Sequence, residues 1–199
     1  MIQIGITGGI GSGKTTVCSI WERLGARVVY ADALAKSLMV ENKELHNDII
    51  KVFGEQTFNN DGSLNRSWLA KEAFEGKRVK ELNRLVHPWV YQELEKLKKK
   101  AEKEGIEIFV RESALLLDNG RPDDIDAVIL LKAPESKRIE WVVQRDLGDE
   151  AHVRERIQNQ QDYSRLEPLA DIVLENDDSK EKLEKKAEII FRELTAVAK

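Results

Sequence analysis

Cysteine is almost missing from these 199 residues: Cys18 stands alone, so no intrachain disulfide can form and a disulfide-stapled scaffold is excluded. Its apolar neighbours in a helical stretch predict a buried, inert thiol. No apolar run reaches 18 residues, which excludes a membrane-spanning helix. The first residues enter a strand pattern where a secretory leader would show a basic stretch and an apolar core, so the expectation is a cytoplasmic protein with no membrane partner. His46 and His152 have no metal-ligand spacing with each other or with Cys18, which argues against a zinc site built from protein alone. Internal repeats and low-complexity segments are absent. A net charge of −4, with acidic and basic residues interspersed, leaves no footprint for nucleic acid.

What the chain does have is charge: 34% of its residues are Asp, Glu, Lys or Arg, and the run Glu95–Glu104 mixes signs at helical spacing, as a solvated helix face does. The length suits one α/β domain with a sizeable core and a smaller inserted subdomain.

Residues 8–15 read Gly-Gly-Ile-Gly-Ser-Gly-Lys-Thr, a complete G-x-x-x-x-G-K-[ST] phosphate-binding pattern that starts directly after the apolar run Ile2–Thr7. Gly8, Gly9, Gly11 and Gly13 permit positive φ and let backbone N–H groups converge on anionic oxygens. Lys14 reaches β- and γ-phosphates in such a loop, the Thr15 hydroxyl ligates Mg²⁺, and the following helix aims its N-terminal dipole at the same charge. Val17, Ile20, Trp21 and Leu24 supply the apolar stripe of that helix. Gly8, Gly9, Gly11, Ser12, Gly13, Lys14, Thr15 and Thr16 are therefore the predicted triphosphate-binding residues.

Further strands are predicted at Ala26–Ala31, Ile106–Val110, Ala127–Leu131 and Asp171–Leu174. Helical spacing covers Ala33–Phe53 and almost all of residues 64–104, where Trp68, Leu69, Phe74, Leu82, Leu85, Val86, Trp89 and Val90 form an apolar face. A last amphipathic helix over Lys180–Val197 carries Leu183, Ala187, Ile190, Phe191 and Leu194 on one side and is expected to pack on the sheet. Strands alternating with helices predict an α/β fold: a parallel five-stranded sheet covered on both faces, with a helical insertion between the second and third strands. Asp32, at the end of the second strand, is then expected near the phosphate loop that ends the first. A carboxylate there suits a general base that orients a hydroxyl and takes its proton, and equally suits a helix N-cap.

Gly5–Thr16 together with Tyr30-Ala-Asp-Ala-Leu-Ala-Lys36 resembles the opening of the dephospho-coenzyme A kinases. Leu64–Leu69 with Phe74, Leu85-Val-His-Pro88, Leu115-Leu116 before an acidic residue, Gln144-Arg-Asp146, Gln160, Ala170-Asp171 and Asn176 extend the resemblance, in order, along nearly the whole chain. It implies a P-loop kinase core over residues 1–32 and 105–199, a lid near 138–165 and a helical substrate subdomain over 33–104. The implied reaction moves the γ-phosphoryl group of ATP to the ribose 3′-hydroxyl of dephospho-coenzyme A, with Mg²⁺ as cofactor. Asp32 is then the base, and Arg145 is the lid cation for phosphate, with a surface pair to Asp146 or Asp149 as its alternative. Glu112, just after the third strand, is the acidic residue that holds Mg²⁺ through water, unless Arg111 pairs with it. Lys36, Arg66 and His87 fall on the substrate-binding side.

Five positions depart from the family pattern. Tyr30 stands in place of the first carboxylate of Asp-Ala-Asp, Lys36 replaces an arginine and so loses bidentate recognition, Ala114 replaces a proline, Asp118 a glutamate and Trp141 an arginine. Fold and phosphate loop are shared with other small-metabolite and nucleoside monophosphate kinases, which form the alternative enzyme class. A nucleotide-binding switch is the alternative outside it, although the guanine-specific Asn-Lys-x-Asp motif is absent.

Overall fold

The computed structural model describes residues 1–118, 120–146, 149–160 and 162–197, and the side chains of Phe74, Glu75 and Val197 lie outside that description. The apolar role expected of Phe74 therefore falls outside the described residues, as do Leu147, Gly148 and Gln161 within the lid segment.

Apolar runs become strands, and the three central ones are largely buried on both faces, as a parallel sheet requires, while the edge strands are partly exposed. In chain order these are β1 (Ile2–Gly8), β2 (Arg27–Tyr30), β3 (Ile108–Glu112), β4 (Ala127–Lys132) and β5 (Ile172–Glu175). Among the described residues they form one five-stranded sheet in the order β2-β3-β1-β4-β5. β1 pairs in parallel with β3, Ile6 opposite Glu112, and with β4, Gly8 opposite Leu131. The chain thus reverses its strand order around β1, and the crevice beyond that strand's C-terminal end is where such sheets bind ligands.

Two compact units divide the chain: Met1–Val29 with Ala101–Lys199, and Tyr30–Lys100. The first holds β1, the phosphate loop, α1 (Lys14–Arg23), most of β2, the strands from β3 onward, α6 (Glu135–Asp146), α7 (Glu150–Gln158), α8 (Tyr163–Leu166) and α9 (Lys180–Val197). Val17, Ile20 and Trp21 are buried as the helical stripe predicts. Leu24 is not: it is 40% exposed at the C-cap, because α1 ends one residue earlier at Arg23. α9 meets α1: the Trp21 indole donates to the Ala187 carbonyl at 2.9 Å, and its ring meets Phe191 edge-on at 5.5 Å. Burying a tryptophan demands a partner for its N–H, and α9 supplies it.

The second unit is helical: α2 (Ala31–Glu41), α3 (Lys43–Phe53), α4 (Arg66–Ala70), a π-helical turn Lys71–Glu75, and most of α5 (Val79–Lys103). The stretch read as one helical pattern over Ala33–Phe53 breaks at Asn42, whose side chain accepts from the N–H groups of Glu44 and Leu45 and so caps α3. Met39, Leu45, Ile49, Phe53, Leu69, Ala73, Leu82 and Val86 make this unit's own core, with Leu85, Trp89 and Val90 packed against it.

Cys18 is wholly buried, and burial, reinforced by the nearby Glu112 and Glu22 carboxylates, pushes its thiol far above the ordinary range. The thiolate is the nucleophile, so the native protein is expected to resist iodoacetamide at mildly alkaline pH, while the denatured chain takes up a single label. Intact-mass measurement decides it; fast labelling of the native protein would show that α1 opens readily.

Candidate active site

The phosphate loop runs from the end of β1 into α1 and is built to leave anion-binding groups uncovered. Gly13, the N-cap residue of α1, has φ 99°, a left-handed conformation that suits glycine, and offers no side-chain cap. No acidic side chain occupies the first turn either. The helix therefore begins with bare N–H groups and an uncompensated positive dipole end, the arrangement that takes phosphate. Ser12 is completely buried, its Oγ has no hydrogen-bond partner and its N–H donates to the Gly9 carbonyl at 3.2 Å. Thr15 is exposed and Thr16 half-buried in the first turn of α1.

The expectation of positive φ holds for Gly8, Gly11 and Gly13 and fails for Gly9. Glycine is needed at position 9 for another reason. A Cβ there would collide with Nη1 of Arg138 and come within 2.9 Å of Gln160 Oε1 and Tyr163 Oη.

Lys14 Nζ donates to the carbonyls of Gly8 at 2.8 Å and Gly9 at 3.1 Å, and lies 3.9 Å from Glu112 Oε1. Glu112 is the last residue of β3 and not, as expected, just beyond it; the register of β3 against β1 brings it beside Ile6. Arg111 does not pair with it: the guanidinium forks onto Asp124 at 3.1 Å through both terminal nitrogens. Alternation along a strand sends neighbouring side chains to opposite faces, which separates Arg111 from Glu112.

The segment from α6 to α8 closes over the first half of the loop. Gln160 Oε1 accepts from the Ile10 N–H at 2.9 Å. Arg138, 5% exposed, donates from Nη1 to Tyr163 Oη at 2.8 Å. Behind the loop, the buried Asn176 donates to the Ser12 carbonyl at 3.1 Å. Arg145 is exposed and engages Asp146 with two hydrogen bonds, at 2.7 and 2.9 Å, a pairing that raises the pKa of the guanidinium and lowers that of the carboxyl. Gln160 and Asn176 stand out in sequence only through the family resemblance; Arg138 and Tyr163 carry no local signal, because what matters is their contact with a glycine more than a hundred residues away.

In the helical unit, Asp32 is exposed in the first turn of α2, where Tyr30 occupies the N-cap position. The second strand ends before it, so the N-cap role considered for Asp32 is corrected: it is the second helical residue. Lys36 and Arg66 line one groove of about 370 Å³ with Val40, Ser63 and Leu64. Asn65 places Arg66 there by capping α4, its side chain accepting from the Trp68 N–H at 3.2 Å. His87 is exposed on α5 and is not among the described residues that line this groove.

Among the described residues, no group of three or more His, Cys, Asp or Glu side chains could hold a metal, and no helix is long and apolar enough to cross a membrane. The donors at the loop, an exposed threonine hydroxyl and a carboxylate beside Lys14, fit Mg²⁺, which keeps several waters and takes few ligands from protein.

The dephospho-CoA kinase family model matches residues 2–182. A dephospho-CoA kinase of Salinibacter ruber is 43% identical over 196 residues, covering 98% of both chains. One of Corynebacterium jeikeium is 38% identical over 184 residues, covering 92% of this chain and 94% of its own. Among solved structures, a crystal structure from Thermus thermophilus has 32% identity and a TM-score of 0.80, with 97% of each chain covered. A dephospho-CoA kinase from Campylobacter jejuni, 22% identical over 96% of each chain with a TM-score of 0.62, shares the fold. So does a shikimate kinase from Acinetobacter baumannii, 14% identical with a TM-score of 0.53 over 98% of this chain and 94% of its own.

Proposed function

The chain belongs to the dephospho-CoA kinase family, and from that premise we propose how its own residues carry the reaction. It is an ATP-dependent kinase that transfers the γ-phosphoryl group to the ribose 3′-hydroxyl of dephospho-CoA, giving CoA and ADP, the final step of CoA synthesis. The observation that carries this is the likeness to the Salinibacter ruber enzyme over 98% of both chains. The bare N-terminus of α1 and the Lys14 ammonium beside Gly8 and Gly9 supply what a triphosphate donor needs.

In this mechanism the loop N–H groups and Lys14 hold the β- and γ-phosphates and neutralise the charge that builds on the equatorial oxygens. Asp32 orients the 3′-hydroxyl and takes its proton as the oxygen meets phosphorus. Arg145 exchanges its Asp146 partner for a phosphate oxygen as the lid engages nucleotide, a swap between two acceptors that a guanidinium binds alike. Thr15 directly and Glu112 through water would hold Mg²⁺, which would supply charge neutralisation and phosphate orientation. His87 joins Lys36 and Arg66 in receiving the anionic coenzyme. ATP as donor and a lone reduced thiol suit the cytoplasm.

ADP release with dephospho-CoA, run beside adenosine, nucleoside monophosphates, shikimate and no acceptor, tests the activity. Turnover with dephospho-CoA alone is expected; turnover with another acceptor only, or nucleotide binding without turnover, would overturn it. The acceptor side has its own test. Two cations on one groove suit the pyrophosphate of the coenzyme, so Arg66→Ala is expected to raise KM for dephospho-CoA by about tenfold and leave KM for ATP within about twofold. An equal rise in both constants would remove Arg66 from the acceptor site.

A further inference from the structure

We propose that Arg138 is a catalytic residue: its guanidinium meets the terminal phosphates of bound ATP above Gly9, as a second lid cation beside Arg145. The proposal rests on the kinase activity above and on four observations at this side chain. Arg138 is 95% buried, being only 5% exposed. Its partners among the described residues are the neutral hydroxyl of Tyr163, at 2.8 Å, and that residue's ring, 5.4 Å from the guanidinium carbon; no carboxylate is among them. Its Nε is buried with no hydrogen-bond partner. Its Nη1 lies so close to Gly9 that a Cβ there would collide with it.

A buried cation without a counter-charge is unfavourable unless an anion completes it. A residue that only propped the loop would do so better without charge. The anion is identified by what else converges on Gly9: the Lys14 ammonium donates to the carbonyls of Gly8 and Gly9, and in a phosphate loop that lysine serves the β- and γ-phosphates. Arg138 is held at one of these two residues, Gly9. The backbone of α6 is fixed there too, since a Cβ on Gly11 would stand 2.7 Å from the Arg138 carbonyl oxygen. Tyr163 orients the fork, and Gln160 pins the loop through the Ile10 N–H, so the guanidinium is preorganised before nucleotide arrives.

In the step itself, the bond from the γ-phosphorus to the β,γ-bridging oxygen breaks, the bond to the acceptor oxygen forms, the hydroxyl proton goes to the base and ADP leaves with the bonding pair. Arg138 neither gains nor loses a proton. It stabilises negative charge on the bridging oxygen, which stays with ADP, and on the γ-phosphoryl group, which ADP lacks. The prediction is therefore discrimination between ATP and ADP.

Binding of each nucleotide, followed by calorimetric titration with Mg²⁺ present, is compared for wild type, Arg138→Met, Arg138→Lys and Tyr163→Phe, alongside kcat. Arg138→Met is expected to weaken ATP by about tenfold more than ADP and to lower kcat on the order of a hundredfold. Arg138→Lys, which keeps the charge and loses the fork, should fall between. Tyr163→Phe should move the ATP-to-ADP ratio the same way by a smaller factor. Equal weakening of both nucleotides, or an unchanged kcat, would make Arg138 a mere prop and overturn the proposal. Thermal melting shows whether Arg138→Met folds; if it does not, the ratio in Arg138→Lys and Tyr163→Phe decides. A wild type that binds both nucleotides but does not turn over dephospho-CoA would sink the kinase function separately, with the ATP-to-ADP ratio still reporting on Arg138.

Discussion

Lys14→Ala is expected to lower kcat/KM by at least a thousandfold, on the order of what preorganised charge contributes to phosphoryl transfer, and to weaken ATP binding as well. The size follows from the surroundings. The Lys14 ammonium is largely enclosed and already held by the carbonyls of Gly8 and Gly9 and near Glu112, so it sits in fixed geometry and has little reorganisation left to do. No other side chain can replace it from α1, whose first turn carries no further cation. Truncation also leaves the Glu112 carboxylate without this ammonium, and added negative charge beside a triphosphate is unfavourable. Nucleotide titration and steady-state rates measure both losses. A variant that kept more than about a tenth of the wild-type rate would show that the loop N–H groups suffice, against the expected cost of losing such a charge.

How far the sequence speaks depends on the range of the contacts involved. The phosphate loop is legible because its cause is local: glycine spacing, a strand before and a helix after. The parallel five-stranded sheet follows from the alternation of apolar runs with helical stretches. The order β2-β3-β1-β4-β5 does not, since pairing β1 with β3 across the whole helical unit leaves no trace in either segment. Periodicity misplaced Leu24, whose apolar character continues a stripe that the backbone abandons at the C-cap, and it overlooked Asn42, which breaks one helical pattern into two by offering its own oxygen to the next helix. Gly9 shows the same limit at the site. Its composition suggested backbone freedom, whereas the constraint comes from Arg138, Gln160 and Tyr163 arriving from another part of the chain. Arg145, prominent beside Asp146 in a family-like run, turns out exposed and paired with its neighbour, while the buried arginine seven residues earlier has no local mark at all.

Asp32→Asn should fail in a different way from Lys14→Ala, and the contrast gives the acid–base assignment its force. Asparagine keeps the size of the side chain and can still accept from a hydroxyl, but it cannot take the proton. Removal of a general base costs about a hundredfold to ten-thousandfold, so kcat should fall in that range. ATP binding should stay near wild type, because the donor is held by the loop and α1. Stability should move little, since Asp32 is exposed and belongs to neither unit's core. Loss in kcat with an unchanged KM for ATP is the signature of an interaction made in the transition state, whereas Lys14→Ala should lose in both. The two variants, measured with the same ATP and dephospho-CoA titrations, thus separate charge stabilisation from proton transfer. Wild-type turnover in Asp32→Asn would mean that the hydroxyl proton leaves by another route. A parallel fall in ATP affinity would instead make Asp32 part of the donor site, and the base would have to be sought elsewhere.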